Sequence, residues 1–261
     1  MKNKRLLIVM SVFVFIVAIV ILCSSFFSVK TISISWQSEL NEFYNISQDE
    51  IVNVLEIDSS NNILLVNRQK CIDKLETQYP YLKVESIDKK LPSGIILNLA
   101  ERREMYIVKI QDGLYAYLDD TGRVLKVDDG SPIGSTIYPC MLYFDGITIM
   151  REDFIEGKDA DLALLDVLVT ISSTLKTQGC SVEDSYNLLK QITITVGYNI
   201  HIEIESNYGL SLMLRKVDKD LEEKLEYGLN LYQQDREQSM VGEIVVFKDA
   251  EGALSSIFNS L

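Results

Sequence analysis

The sequence is poor in the residues that build metal and catalytic sites. It has one His and four Cys in 261 residues, and no two cysteines form a Cys-x-x-Cys pair. Zinc modules need clustered Cys and His ligands, so the composition argues against them. The net charge of −13 argues against sequence-independent nucleic-acid binding, which requires a cationic surface. We therefore expect no resident metal or cofactor.

Acidic residues are absent from the first 38 positions, where a long apolar run lies instead. Leu6 to Phe27 carry no charge, and a helix of that length spans about 33 Å, enough for a bilayer core of about 30 Å. All 38 acidic residues and 22 of the 25 basic residues follow the run, so the downstream part carries 22 − 38 = −16. The run predicts a single transmembrane helix over 6–27 after a cytoplasmic tail of residues 1–5, with everything after about residue 28 outside the cytoplasm.

Two other interpretations of this run have less support. A cleaved signal peptide has a shorter apolar core and a small-x-small exit, whereas here the exit contains Phe26 and Phe27. A lipoprotein signal needs small residues before its cysteine, and Cys23 follows Val20, Ile21 and Leu22. Of the other cysteines, we expect Cys71, Cys140 and Cys180 to be small buried hydrophobes rather than a disulfide framework.

Residues 28–102 predict a small α+β domain. An alternating strand at Val29–Ile34 is followed by a helix that Ser47 and Glu50 cap and by a second helix that Asn67 caps. Two more strands, 82–91 and 95–101, flank a turn at Pro92-Ser93-Gly94. The expected fold has two helices on one face of a three-stranded sheet.

Residues 103–247 predict a β-rich domain with two amphipathic helices, followed by a tail over 248–261. The first helix runs from about 160 to 177, with Asp159 or Asp161 as cap. The last helix begins after Asp218 and places apolar residues on one face. These are Leu221, Leu225, Leu229 and Tyr232. The acids at its start, together with Lys219 and Lys224, are expected on a solvated face.

Two sequence features that occur in catalytic sites are better explained by non-catalytic roles. Asp120-Thr121-Gly122 is the triplet of aspartic proteases, but those enzymes need a second carboxylate and apolar surroundings, whereas Asp119 and Arg123 flank this one. A hairpin turn explains it more simply. His201 shares its strand face with Glu203 and Glu205, which predicts a solvated side chain. We therefore expect a protein that is not an enzyme.

Several short motifs resemble the FtsQ/DivIB family of bacterial cell-division membrane proteins. They are Asn62-Ile63-Leu64, the run Tyr79–Val84, Lys90-Leu91-Pro92, Glu101-Arg102 and the run Tyr117–Leu125. The layout also matches: a short basic tail, one anchor, a small domain and a β-rich domain. The resemblance implies a polypeptide-transport-associated (POTRA) domain over 28–102 and a non-catalytic scaffold at the division septum. The alternative is a POTRA-bearing envelope export or assembly protein, although the chain has too few alternating strands for the barrel of that class.

The resemblance also implies partners and a binding site. Proteins of this family bind small bitopic partners of the FtsB/DivIC and FtsL types outside the cytoplasm and help to regulate septal peptidoglycan synthesis. The last strands of the β domain carry the main contact, by addition of a partner strand to a free sheet edge. In this sequence the candidate strand follows Gly242, and Phe247 falls where the family tends to place an aromatic. The expected partner-binding residues are Glu243, Ile244, Val245, Val246 and Phe247. Because four apolar residues run consecutively there, an ordinary core strand is the competing interpretation.

Overall fold

A computed structural model describes the chain in separate stretches. They are residues 10–15, 26–37, 46–110, 113–129, 140–162, 164–179, 189–217, 219–237 and 240–260. The chain divides into two compact units, Met1–Arg102 and Arg103–Leu261. Each unit has a hydrophobic core of its own.

Most of the predicted transmembrane span 6–27 lies outside the described residues. Of that span the structure describes residues 10–15, which are helical, and residues 26 and 27. Within the described ranges, no helix has both the length and the apolar character needed to cross a membrane.

The N-terminal unit has the predicted order of elements. Strand β1 is followed by helices α1 and α2 and then by strands β2 and β3. Their bounds are β1 Thr31–Trp36, α1 Gln48–Leu55, α2 Arg68–Gln78, β2 Leu82–Lys90 and β3 Gly94–Glu101. Strand β3 is central, with β1 parallel on one side and β2 antiparallel on the other. Both helices contribute to the core, and α2 packs on β2.

Both predicted helix caps of this unit are confirmed. The Ser47 hydroxyl accepts from the Glu50 N–H at 3.2 Å, and the Glu50 carboxylate accepts from the Ser47 N–H at 2.8 Å. The Asn67 side chain accepts from the Lys70 N–H at 3.2 Å. Each contact satisfies an N–H group that has no partner within the helix, so a local signal in the sequence is enough to start these helices.

The C-terminal unit is built on one nine-stranded sheet. Its strands are β4 Tyr106–Lys109, β5 Tyr115–Leu118, β6 Val124–Asp128, β7 Cys140–Asp145, β8 Leu189–Val196, β9 Ile200–Ser206, β10 Leu210–Val217, β11 Gly242–Lys248 and β12 Leu254–Ser260. Their order across the sheet is β12-β11-β10-β9-β8-β7-β4-β5-β6. Helices α3 Leu165–Thr177 and α4 Leu221–Glu237 pack on each other, and α4 packs on β10 and β11. One core joins the helices to the inward faces of the strands.

The two helices of this unit differ in how well their sequences predicted them. In α4, all four predicted apolar residues are buried, although Asp218 lies outside the described residues. In α3, the predicted cap is wrong, because the helix begins at Leu165 after Leu164 rather than at Asp159 or Asp161. Its buried apolar residues include Leu168, Ile171 and Leu175, whereas Val169 is exposed.

Two strands were not predicted. Strand β7 joins β4 and β8, both in parallel pairing. Strand β12 lies in the segment that the sequence analysis treats as a C-terminal tail after residue 247, so that description is wrong for Leu254–Ser260. Cys71 and Cys140 are free and buried, as predicted, and Cys180 lies outside the described residues.

Candidate partner-binding surface

Strand β11, the predicted partner-binding strand, is an interior strand of the sheet. It pairs in parallel with β10, from Leu210↔Gly242 to Leu214↔Val246. It also pairs antiparallel with β12, from Gly242↔Ser260 to Lys248↔Leu254. Because neighbours cover β11 on both sides, a partner strand cannot add to it directly. The prediction that β11 forms the free edge is wrong, and the edge position belongs to β12.

A tight turn between β11 and β12 places the last strand. The Asp249 N–H donates to the Ala253 carbonyl at 2.9 Å, and the Gly252 N–H donates to the Asp249 carbonyl at 3.1 Å. The Asp249 carboxylate accepts from the N–H groups of Glu251 and Ala253, both at 2.9 Å. Gly252 has φ +85°, a left-handed conformation that glycine adopts without strain. The Asp and Gly of this turn are the sequence signal that could have revealed the hairpin.

The two edges of the nine-stranded sheet differ in whether other backbone groups pair with them. At the β6 edge, the Val124 N–H donates to the Lys158 carbonyl, and the Gly157 N–H donates to the Val124 carbonyl, both at 2.8 Å. The Glu156 carboxylate accepts from the Val127 N–H at 2.8 Å. A loop therefore covers that edge. In the part of the chain that the structure describes, no backbone group pairs with the outer side of β12. An open edge of this kind is a template for a further strand.

Apolar side chains lie beside the open edge, on the sheet face opposite the core. Leu254 and Phe258 of β12 pack on the core, so Ile257 points to the other face. Ile257 lies opposite Val245, which lies opposite Met213 of β10. Val245 is 2% exposed, whereas Ile257 is 53% exposed. Together with Phe247, which shares this face, they form what we call the outer patch (Met213, Val245, Phe247 and Ile257).

Carboxylates border the outer patch. Glu203 pairs with Met213, and Ser211 lies between Glu205 and Glu243. Partial burial raises the pKa of the Glu203 carboxyl, and the negative charges of Glu205 and Glu243 raise it further. The Asn259 side chain of β12 donates to the Glu243 carboxylate at 3.1 Å. This face therefore offers an apolar centre with negative charge on one side, which suits a strand with apolar and basic residues.

The five predicted site residues are divided between the two faces of the sheet. Ile244 and Val246 point into the core and are 2% and 0% exposed, so their side chains are not on the surface of the unit. Glu243, Val245 and Phe247 point to the outer face. Ile257, which completes the outer patch, is not among the predicted residues, because its segment was expected to be a tail.

Gly242 lets β12 approach β11 closely. A Cβ atom at this position would collide with the Asn259 backbone oxygen and would lie 2.9 Å from Cζ of Phe258. A side chain here would displace β12 at the point where Phe258 packs on the core. The glycine therefore helps to hold the edge strand in place.

The motifs with catalytic precedents take structural roles. The Asp120-Thr121-Gly122 triplet forms the turn between the antiparallel strands β5 and β6, and Asp120 pairs with Lys176. The preceding Asp119 is buried, and its carboxylate accepts from the Thr121 N–H at 2.8 Å and the Arg123 N–H at 2.9 Å. His201 accepts from the Lys216 N–H at 3.2 Å. Among the described residues, no three His, Cys, Asp or Glu side chains come together as a metal site.

Comparison with known proteins agrees with the fold of the N-terminal unit. A family model described as "POTRA domain, FtsQ-type" matches residues 27–102, which are the described three-stranded sheet and its helices. Residues 27–102 therefore carry an FtsQ-type POTRA domain, and the two curated DivIB matches described below support the FtsQ/DivIB family. This confirms the resemblance found in the sequence motifs.

Two curated relatives of the FtsQ/DivIB family match part of the chain. One is "Cell division protein DivIB" of Clostridium tetani, 27% identical over 104 residues, which are 40% of this chain and 36% of the relative. The other has the same name in Clostridium botulinum and is 26% identical over 128 residues, 48% of this chain and 47% of the relative. The matches thus span less than half the length of either relative.

Proposed function

We propose that this FtsQ/DivIB-family chain is a non-catalytic, single-pass membrane scaffold of the bacterial cell-division machinery. It binds FtsB/DivIC-like and FtsL-like proteins outside the cytoplasm, at the septum, and helps to regulate septal peptidoglycan synthesis. The cell-division role is supported by the FtsQ-type match over residues 27–102 and by the names of both relatives. The same findings give less support to the export alternative.

The observation that carries the binding role is the open edge of β12. A partner strand added there gains backbone hydrogen bonds along Leu254–Ser260 and covers the half-exposed Ile257. Its side chains on the outer face reach the outer patch and its acidic border. Aromatic and aliphatic anchors supply most of the energy in such interfaces, and rim charges set specificity and association rate.

The membrane anchor is supported by charge and hydropathy. The apolar run 6–27 has three basic residues before it and a net charge of −16 after it. In the described part of the run, Val12, Phe13 and Val14 are all more than half exposed, as expected of side chains that face lipid. The basic tail places the N-terminus in the cytoplasm and both units outside.

A fluorescent fusion of the full chain tests this function in dividing cells. The proposal expects a band at midcell and co-purification of a small bitopic division protein. A variant with Ile257→Arg should keep its membrane localisation but lose the co-purified protein. A uniform distribution of the fusion around the membrane of dividing cells would contradict the division role.

A further inference from the structure

One end of the N-terminal unit is also the point where the chain enters it. The start of β1 lies beside the turn between β2 and β3, because Thr31 pairs with Gly94 and the Lys30 N–H donates to the Ser93 carbonyl at 2.8 Å. The Ile63 N–H donates to the Phe27 carbonyl at 2.8 Å, which brings the loop before α2 to the same end. The entry of the chain, this loop and the β2–β3 turn thus lie together.

Three leucines at this end are exposed to solvent. Leu64, Leu65 and Leu91 have exposed fractions of 51%, 83% and 59%. We call these three residues the leucine rim. Isolated exposed leucines are common, but here two adjacent ones share one end of a small domain with a third, which is typical of an interaction surface.

The loop that carries Leu64 and Leu65 is fixed by hydrogen bonds. The Asn62 side chain accepts from the Leu64 N–H at 2.9 Å, and the Asn62 carbonyl accepts from the Leu65 N–H at 2.9 Å. The Lys89 ammonium donates to the carbonyls of Leu64 and Val66 at 3.2 and 2.7 Å. The two leucines are therefore held outward by the fold.

Positive charge surrounds the leucine rim. Lys30 and Lys90 are exposed at this end, and Lys89 lies between strand and loop. Arg68 and Lys70 stand in the first turn of α2, directly after the loop. Three of the acids in this region already have partners: Asp58 accepts from the Ser60 side chain and N–H, Asp88 accepts from the Asn98 amide, and Glu56 pairs with Lys74. In a chain that carries −16 beyond residue 27, this end is locally basic.

We propose that the leucine rim inserts into the outer surface of the membrane and holds the N-terminal unit against anionic lipid. This inference rests on the proposed anchor. Phe27 is the last residue of the predicted span, and its carbonyl is bonded to Ile63, the residue before Leu64. If the anchor ends there, the leucine rim lies at the level of the lipid headgroups. Exposed apolar side chains with lysines around them match the chemistry of that layer.

Tryptophan fluorescence of the full chain in vesicles tests this contact. The single native tryptophan, Trp36, is replaced by Phe, and Leu65→Trp supplies the reporter. The matched control is Gln78→Trp, an exposed position at the end of α2. The eight residues of β3 separate the two ends by about 23 Å, because a strand rises about 3.3 Å per residue. Vesicles contain phosphatidylglycerol and phosphatidylcholine, with or without bromine on the acyl chains as a contact quencher.

The expected result is that bromine removes most of the emission of the tryptophan at position 65 and leaves that at position 78 unchanged. Replacing phosphatidylglycerol by phosphatidylcholine should reduce the quenching at position 65, because the lysines then lose their lipid partner. Circular dichroism of both variants verifies that they fold like the Trp36→Phe parent. Leu65→Asp in the unlabelled chain should free the unit from the surface, seen as faster proteolysis of vesicle-bound protein after Lys90.

The outcomes separate this inference from the proposed function. Protein that does not float with vesicles contradicts the anchor itself. Protein that floats while position 65 is not quenched contradicts only the lipid contact, and the leucine rim would then belong to a protein interface. Equal quenching at positions 65 and 78 also contradicts the proposal, because it means that the whole unit lies on the membrane in no defined orientation.

Discussion

Val245 and Ile257 lie opposite each other on neighbouring strands, yet one is covered and the other is open. Val245 has Met213 on one side and Ile257 on the other, and 2% of it is exposed. Among the strands that the structure describes, Ile257 has a neighbour on one side only, and 53% of it is exposed. The difference is that between an interior strand and an edge strand, and it identifies the position where one more strand would complete the apolar row.

Ile257→Arg should weaken partner binding without unfolding the unit. Covering half of an isoleucine contributes about 1–2 kcal/mol, and a charge in its place adds a desolvation penalty, so we expect a loss of roughly thirty-fold in Kd. Titration of purified full chain with a DivIC-like partner measures this. The control is Tyr198→Arg, at the exposed tip between β8 and β9. Equal affinities of Ile257→Arg and the parent would remove this residue from the interface.

Lys224 is the residue that departs most from its predicted role. The sequence places it on a solvated helix face, but its side chain is 2% exposed. Its ammonium donates to the carbonyls of Arg215 and Lys216 at 2.9 and 2.8 Å and pairs with Asp220 at 3.0 Å. Lys216 has φ +52° at an irregularity in the pairing of β10 with β9, where these carbonyls turn away from the ladder.

We predict that Lys224→Met lowers the free energy of unfolding by about 2–4 kcal/mol, because two partly buried hydrogen bonds to the Arg215 and Lys216 carbonyls are lost, and Asp220 keeps only its more distant pairing with Lys248 among the ion pairs described. The matched control Lys219→Met removes an exposed charge just before the same helix and should change stability by less than about 0.5 kcal/mol. Urea unfolding of the full chain in detergent micelles gives both values. A Lys224→Met protein as stable as its control would mean that water replaces the ammonium.

Glu76 and Arg102 form a buried ion pair in the N-terminal unit. Their charged groups are 3.0 Å apart, and both side chains are less than 10% exposed. Glu76 also accepts from the Val84 N–H at 2.9 Å, and the Arg102 N–H donates to the Tyr81 carbonyl at 2.7 Å. Through these contacts the pair links α2 to the end of β3 and to the start of β2.

Arg102→Met should destabilise this unit by about 3–5 kcal/mol, since it leaves a carboxylate buried without its cation. The double variant Glu76→Gln with Arg102→Met should lose less, because no unpaired charge remains. Lys83→Met, which breaks the exposed pair with Glu85, is the control and should cost less than about 1 kcal/mol. A double variant less stable than Arg102→Met alone would contradict this expectation. It would mean that the ion pair itself has a net stabilising role.

The stability of the C-terminal unit should depend on pH through Glu203, one of the carboxylates that border the outer patch. The folded state raises the pKa of Glu203, so it binds the proton more tightly than the unfolded chain does. Ionised Glu203 therefore lowers stability at neutral pH, and this effect disappears as pH falls below the ordinary value of 4.5. Glu203→Gln should raise the melting temperature at pH 7 and leave it unchanged near pH 4. The same gain from Glu222→Gln would indicate a general effect of net charge.

The local parts of this fold could be read from the sequence, and the non-local parts could not. The caps at Ser47 and Asn67 and the apolar face of α4 depend on residues within a few positions of one another. The order of nine strands depends on pairings such as Tyr106↔Cys140, which join distant segments. Lys224 looks like a surface residue among acids until the irregular end of β10 is known to lie beneath it.

In the candidate site, too, the local feature could be predicted from the sequence and the non-local one could not. The run of four apolar residues from Ile244 to Phe247 predicted a strand, and the strand extends over Gly242–Lys248. Whether that strand lies at an edge depends on whether the following segment, Leu254–Ser260, pairs with it. This segment contains three serines and one asparagine, so its sequence is a weak signal for a strand. The proposed partner position therefore lies at β12, one strand beyond the predicted β11.

Hydrogen exchange of the full chain, alone and bound to a DivIC-like partner, tests the open edge most directly. Amide groups on the outer side of β12 exchange with solvent when no strand covers them and should slow strongly in the complex, while the β8–β9 tip at Tyr198 keeps its rate. A complex that forms with unchanged exchange along residues 254–260 would contradict strand addition at β12.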